Sequence, residues 1–218
     1  GPAPYRAYNK NRVHYLFRFF WDYSGGQMTN WGAHHLDIAQ WALGMDDSGP
    51  VEVEAKAKFN AEKLYETPDT FHITYKYANG TVVECNSGEK KYKMGATFEG
   101  EKGTIYVNRG ALTFSPEELE EEALKETDVR IYPDFKNYAR ARSAHHANWL
   151  DCIKTRKLPV CDVAVGHRSA TVCHLGNVAV MTGKKIQWDP VKQEVVGEKI
   201  AGKQLAYDYR APWKLPTV

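Results

Sequence analysis

Asn30, His34, Asp37 and Trp41 are spaced by four, three and four residues. On a helix those intervals place side chains one above another, in a stripe about 60° wide. An imidazole, with its ordinary pKa near neutrality, suits proton transfer. An amide one turn earlier reaches the same ligand group. The stripe therefore reads as a site face, covered by a ligand or by another domain. The competing reading is a buried polar network, with Asp37 capping or pairing something structural.

The element that carries these residues is a helix expected from about Gln27 to Leu43, broken off the preceding chain by Gly25-Gly26 and stopped by Gly44. Met28, Gly32, Leu36, Ala39 and Leu43 fall roughly opposite the stripe and read as its core side. The whole chain is 26% charged, yet Ser24 to Met45 holds one charged residue, Asp37. A surface helix normally turns Lys, Arg or Glu outward; this one has none to turn.

The rest of the chain reads as strands and helices that support such a face. Val51–Phe59, Thr70–Tyr77 and Thr81–Cys85 alternate with period two. Asn79-Gly80 between the last two signals a type I′ hairpin. Short strands fit Met94–Glu99, Thr104–Val107, Ala111–Phe114 and Ile186–Trp188, and the run suggests a mostly antiparallel sheet of six to eight strands. Ser115-Pro116-Glu117-Glu118 resembles a helix start. Longer helices are expected from Lys136 to Thr155 and, capped by Asp162, from Val163 to Met181. The class is α+β: a large, mostly antiparallel open sheet with helices on one face. Residues 1–218 read as one domain, with 1–23 as a linker-like start and 203–218 as a packed, aromatic tail.

With 218 residues, 43% hydrophobic, the chain can bury an ordinary core. Its net charge of +2 rules out a strong electrostatic footprint for nucleic acid or anionic membrane. Cys85, Cys152, Cys161 and Cys173 form no C-x-x-C pair and read as free thiols. His145 and His146 are adjacent, so at most one shares a given site. His167 and His174 are seven apart, with no carboxylate at ligand spacing, and no metal site is expected. No G-x-G-x-x-G, P-loop, G-x-S-x-G or H-E-x-x-H is present, so the usual βαβ route to a dinucleotide is closed to this chain.

Gly25-Gly26-Gln27-Met28-Thr29-Asn30-Trp31-Gly32-Ala33-His34-His35-Leu36-Asp37 resembles a known pattern. It is similar to the site helix, G-G-x-x-x-D-x-G-x-H-x-x-D, of the glucose–fructose oxidoreductase / inositol dehydrogenase (Gfo/Idh/MocA) family. Phe19-Phe20-Trp21-Asp22-Tyr23-Ser24, Glu101-Lys102-Gly103-Thr104, Val165-Gly166-His167-Arg168-Ser169 and Tyr209-Arg210-Ala211-Pro212-Trp213-Lys214 extend the likeness to a bacterial subgroup.

The resemblance implies the C-terminal substrate domain of a two-domain dehydrogenase, whose Rossmann domain, the holder of NAD or NADP, is absent from this chain. It implies that His34 is the acid/base on a sugar hydroxyl. Asn30 stands where the family has Asp; an amide orients but neither relays a proton nor holds negative charge. Substrate contacts are then expected from Asp37, Arg18, Trp21, Tyr23, His145 and His146, and cofactor contacts from Arg210 and Trp213. The parent would be an NAD(P)-dependent oxidoreductase acting on a sugar, polyol or glycoside, with this chain alone inactive and binding no cofactor. Two alternatives stay open: an NAD-assisted glycosidase of the same family, and a non-catalytic oligomerisation or carbohydrate-binding module. The expected partners are the parent's own Rossmann domain, a sugar-like molecule and a second copy across the open sheet face, with no nucleic acid and no membrane. A cytoplasmic location is favoured over periplasmic export.

Overall fold

Alternating strands bury one face, and that alternation sets the register of the larger sheet in the computed structural model. The structure describes residues 3–121, 138–197, 204–214 and 216. Contacts divide the chain into two compact units, Gly1–Tyr92 with His167–Val218, and Lys93–Gly166, where the sequence reads as a single domain.

In the first unit, β1 (Glu52–Lys58), β2 (Thr70–Lys76), β3 (Val82–Ser87), β7 (Ile186–Asp189) and β8 (Glu194–Val195) form one sheet in the order β3-β2-β1-β7-β8. Each described pairing is antiparallel. The register sets Val53 opposite Tyr75 and Ile73 opposite Cys85, so the apolar residues share one face. That face packs on two helices, α1 (Gly26–Ala42) and α3 (Val163–Thr182). The core they enclose holds Met28, Leu36, Val53, Ile73, Tyr75, Val172, Leu175, Val178 and Ile186. Burial pushes the thiols of Cys85 and Cys173 up to about 12, so both are inert there.

The β2–β3 connection departs from the expected type I′ turn. Gly80 has φ +88°, and Asn79 is not among the residues with positive φ. Gly80 N–H donates to Tyr77 O at 3.0 Å, and Tyr77 N–H to Thr81 O at 2.9 Å. The loop is therefore three residues, Ala78 to Gly80, with the left-handed residue last, the other common hairpin geometry.

In the second unit, β4 (Ala96–Gly100), β5 (Gly103–Asn108) and β6 (Ala111–Ser115) form a separate three-stranded antiparallel sheet, so the eight described strands make two sheets rather than one. The same unit holds α2 (Tyr138–Thr155). The Ser115–Glu118 start leads into residues 122–137, outside the described residues. Asp162 caps α3, its Oδ1 accepting from the N–H groups of Ala164 and Val165.

The opposite face of the five-stranded sheet carries charge. β2 alone suggests a weakly charged surface, but Glu54, Lys56 and Lys58 of neighbouring β1 alternate outward there. Glu52 sits among Lys76 Nζ at 2.7 Å, Lys185 Nζ at 3.1 Å and Gln187 Nε2 at 2.8 Å. The Lys76 contact first, then Gln187 and Lys185, hold the Glu52 carboxyl at about 2, below its ordinary 4.5. A carboxyl depressed on folding stabilises the fold above its unfolded pKa and loses that contribution as pH falls. Stability should therefore decline between pH about 4.5 and about 2 through this group. Glu52→Gln should lower the melting temperature at neutral pH and flatten the decline across that window. Melting curves of the two proteins that stay parallel over the window would show that Glu52 is not responsible.

Candidate functional site

The two glycines that open α1 are fixed by space as well as by backbone. Gly26 has φ +66°, and a Cβ there would meet Thr67 Cβ at 2.8 Å. A Cβ on Gly25 would meet Asn177 Nδ2 at 2.4 Å. That approach lets the Asn177 side-chain amide of α3 donate to Gly25 O at 2.9 Å. Gly25 N–H in turn donates to Thr29 Oγ1 at 3.1 Å. The start of α1 is thus tied to α3.

A second tie lies further along. Ser169 Oγ of α3 donates to Asp37 Oδ1 at 2.6 Å, and Ser169 is buried. One oxygen of the lone charge of α1 is therefore the acceptor of a helix–helix hydrogen bond, a structural role beside the expected contact with substrate. The stripe divides: Asp37 belongs to the packing, Asn30 is half-buried, and His34 and Trp41 are exposed. Met28, Gly32, Leu36, Ala39 and Gln40 are the buried side of α1, opposite the stripe as the spacing requires; Leu43 is half-buried. Trp31 lies beside His34, with ring centroids 5.5 Å apart, and beside His35 at 5.7 Å. Asn30 Nδ2 donates to Gln27 Oε1 at 3.2 Å. The open side of α1 thus presents an imidazole, an amide and an indole with no Lys, Arg or Glu among them.

Other expected site residues fall elsewhere. Trp21 and Tyr23 line a cavity of about 1170 Å³ in the first unit, which His34 and Asn30 do not line. The Arg18 guanidinium stacks on Tyr15 at 3.7 Å, and its Nε donates to Tyr15 O at 2.9 Å. His145 and His146 are on α2, in the second unit, and both are exposed. The tail packs only in its first part. Tyr207 Oη donates to Trp21 O at 2.8 Å, whereas Tyr209, Arg210 and Trp213 are exposed. Nothing described covers those three, so the packed tail expected from 203 onward ends near Tyr207.

Sequence reasoning missed Ser169, Asn177, Trp188 and His174. The first two carried a signal: polar residues among Val172, Cys173, Leu175 and Val178 on a buried helix face need partners. His174 faces the cavity, where surrounding protein pushes its imidazole below the ordinary value.

Among the described residues no cluster of three His, Cys, Asp or Glu side chains could hold a metal ion, and no helix is long and apolar enough to cross a membrane. All described strand pairs are antiparallel. Among the described residues there is no parallel strand–glycine turn–helix unit, the usual cradle for a dinucleotide's pyrophosphate.

The sequence matches, over residues 1–215, the profile of an oxidoreductase family's C-terminal alpha/beta domain. No curated protein matches it. Several solved structures share the fold. The WlbA dehydrogenase from Bordetella pertussis, in complex with NADH and UDP-GlcNAcA, is 20% identical with a TM-score of 0.57, covering 83% of this chain and 52% of that one. An oxidoreductase from Thermotoga maritima is 19% identical with a TM-score of 0.53, covering 84% and 50%. An NAD-binding protein from Listeria innocua is 16% identical with a TM-score of 0.52, covering 80% and 51%. The chain spans about half the length of these solved relatives.

The division of the stripe has a measurable consequence. Ser169→Ala removes the donor to a half-buried carboxylate and should cost about 1–3 kcal/mol of stability. His34→Ala, at an exposed position, should stay within about 0.5 kcal/mol of the parent chain. Urea denaturation of the two variants checks this. Equal losses, or a larger loss for His34→Ala, would overturn the division into a packing carboxylate and an exposed imidazole.

Proposed function

The chain belongs to the Gfo/Idh/MocA oxidoreductase family as its C-terminal alpha/beta domain, and from that premise we propose that it is the substrate-side half of an NAD(P)-dependent oxidoreductase acting on a hydroxyl of a sugar, polyol or glycoside. One observation carries the reading: His34 is exposed on a face of α1 that has no charged side chain, although the helix is fixed on its other side by Ser169 and Asn177. An uncharged face with exposed aromatics, such as Trp41 at 56%, is a surface to be covered.

Oxidising a secondary alcohol requires a base for the hydroxyl proton and an acceptor for the hydride. His34 supplies the base, and Asn30, one turn earlier, orients the hydroxyl through its amide. Since the described residues hold no dinucleotide cradle, NAD or NADP falls to a Rossmann domain of the parent. Trp21 and Tyr23 stay assigned to substrate, with Arg18, His145 and His146 as further candidates; Arg210 and Trp213, exposed on the tail, stay assigned to the cofactor side. A second copy of the chain is proposed to cover the open sheet face, where Glu54, Lys56 and Lys58 offer both signs of charge to an isologous partner.

In the full-length parent, His34→Ala should lower the rate of nicotinamide reduction by roughly 10²–10⁴, the range for losing a positioned acid/base. Asn30→Ala should cost less, one orienting hydrogen bond of about 1–3 kcal/mol. Near-normal turnover by His34→Ala would refute the assignment. Aglycone release without net reduction would move the parent to the glycosidase alternative. For self-association, light scattering of the chain at high micromolar concentration should report a dimer or larger; a monomer alone would contradict the sheet-face pairing.

A further inference from the structure

The cavity of the first unit is built differently from the His34 face. The N-terminal segment, the start of α1, α3, β7 and the tail all contribute to it. Its walls carry the rings of Phe17, Trp21, Tyr23, Trp188 and Tyr207. At about 1170 Å³ it exceeds the roughly 300–1,000 Å³ of a common small-molecule site, which leaves room for more than one ring.

The described polar groups in the wall are mainly hydroxyls, amides and imidazoles. His167 Nε2 and Gln193 Oε1 lie 2.6 Å apart. His174 lines the wall with part of its side chain open to solvent, and partial desolvation lowers its imidazole from the ordinary value. Gln204 Oε1 is buried with no hydrogen-bond partner among the described residues, an orphan acceptor that a ligand hydroxyl would satisfy. Among the described residues neither Lys nor Arg lines the cavity, and the one carboxylate among them, Asp22, is paired with Arg6. Phosphate groups are bound by Arg, Lys or helix N-termini. The first turn of α1 does reach the wall, but its Gly25 N–H is engaged by Thr29 Oγ1.

We propose that this cavity binds the non-reacting rings of a neutral oligosaccharide or glycoside and rejects phosphate-bearing sugars. Pyranose rings present C–H faces that stack on indole and phenol rings, and hydroxyls that pair with neutral amides and imidazoles. A purely apolar ligand would leave His174 and Gln204 Oε1 unmatched. The inference rests on the reading of the parent as an enzyme acting on a sugar-like hydroxyl, and it narrows the substrate to an extended, uncharged one.

The test uses the ¹⁵N-labelled chain. Indole N–H signals are assigned with Trp21→Phe and Trp188→Phe. The probes are cellobiose, maltose, lactose and 4-nitrophenyl glycosides, set against UDP-glucose and glucose 1-phosphate at the same concentrations. At least one neutral probe should shift the Trp21 indole signal saturably, while both phosphate probes leave it in place. Trp21→Ala, followed at the Trp188 indole, should weaken that binding about tenfold or more. Should Trp21→Ala fail to fold, Met181→Trp serves instead: Met181 lines the cavity, is 40% exposed, and its replacement fills the space. Absence of any saturable shift with the neutral probes, equal binding of a phosphate probe, or full affinity in the cavity variants would each overturn the proposal. Failure of binding alongside a large His34→Ala effect in the parent would sink the cavity and spare the dehydrogenase reading. Binding that depends on Trp21 alongside an active His34→Ala parent would do the reverse.

Discussion

The rotation of α1 about its own axis decides which of its side chains meet the core and which meet the outside. Two hydrogen bonds from α3 fix that rotation: Asn177 Nδ2 to Gly25 O and Ser169 Oγ to Asp37 Oδ1. They act twelve residues apart on α1 and eight apart on α3, so the helices run antiparallel and are pinned at two levels. Between the pins, Met28 and Leu36 join Val172 and Cys173 in the core. With that side committed, the opposite side carries His34 and Trp41 outward whatever else binds there. Asp37, at the family's late Asp position, thereby holds the helix that presents the His34 imidazole.

The cavity and the His34 face share one helix and divide the labour of recognition. Thr29 lines the cavity and Asn30 belongs to the stripe, and adjacent helical residues point about 100° apart. The aromatic walls offer area without directional demand, whereas an imidazole and an amide on one turn offer direction with little area. A hydroxyl of a sugar needs both, because its chemistry is set by orientation and its binding by ring stacking.

Much of this was legible in the sequence where periodicity is strong. The helix expected over Gln27–Leu43 is found at Gly26–Ala42, and the period-two run from Thr70 is β2. Both signals come from burial on one side, a local property of the chain. The stripe's uncharged character was legible for the same reason. What was not legible depends on partners distant in sequence. Asp37 meets Ser169 across 132 residues, and no local pattern distinguishes a carboxylate that binds a ligand from one that accepts a hydroxyl proton of a neighbouring helix. The split of eight strands into two sheets is likewise a matter of pairing, which alternation does not specify. Asn79-Gly80 misled in detail because the same dipeptide serves the two-residue and the three-residue loop.

Charge placement ties the local and the global reading together. Glu52, Glu54, Lys76 and Lys185 form ion pairs on the open face of the sheet, so that surface is chemically complete in water and any partner there must match an existing pattern. Among the described residues the open side of α1 has no Lys, Arg or Glu, and the cavity wall has a single carboxylate, Asp22, paired with Arg6. A chain with 29 basic and 27 acidic residues has charges to place, and leaving them out of two neighbouring surfaces of one helix turn is not a consequence of composition. Lys or Arg at either surface would compete with a neutral ligand by drawing in water and anions, and would lower the cost of leaving the face uncovered. Their absence among the described residues makes both surfaces poorly satisfied alone and well matched to uncharged, hydroxyl-bearing rings.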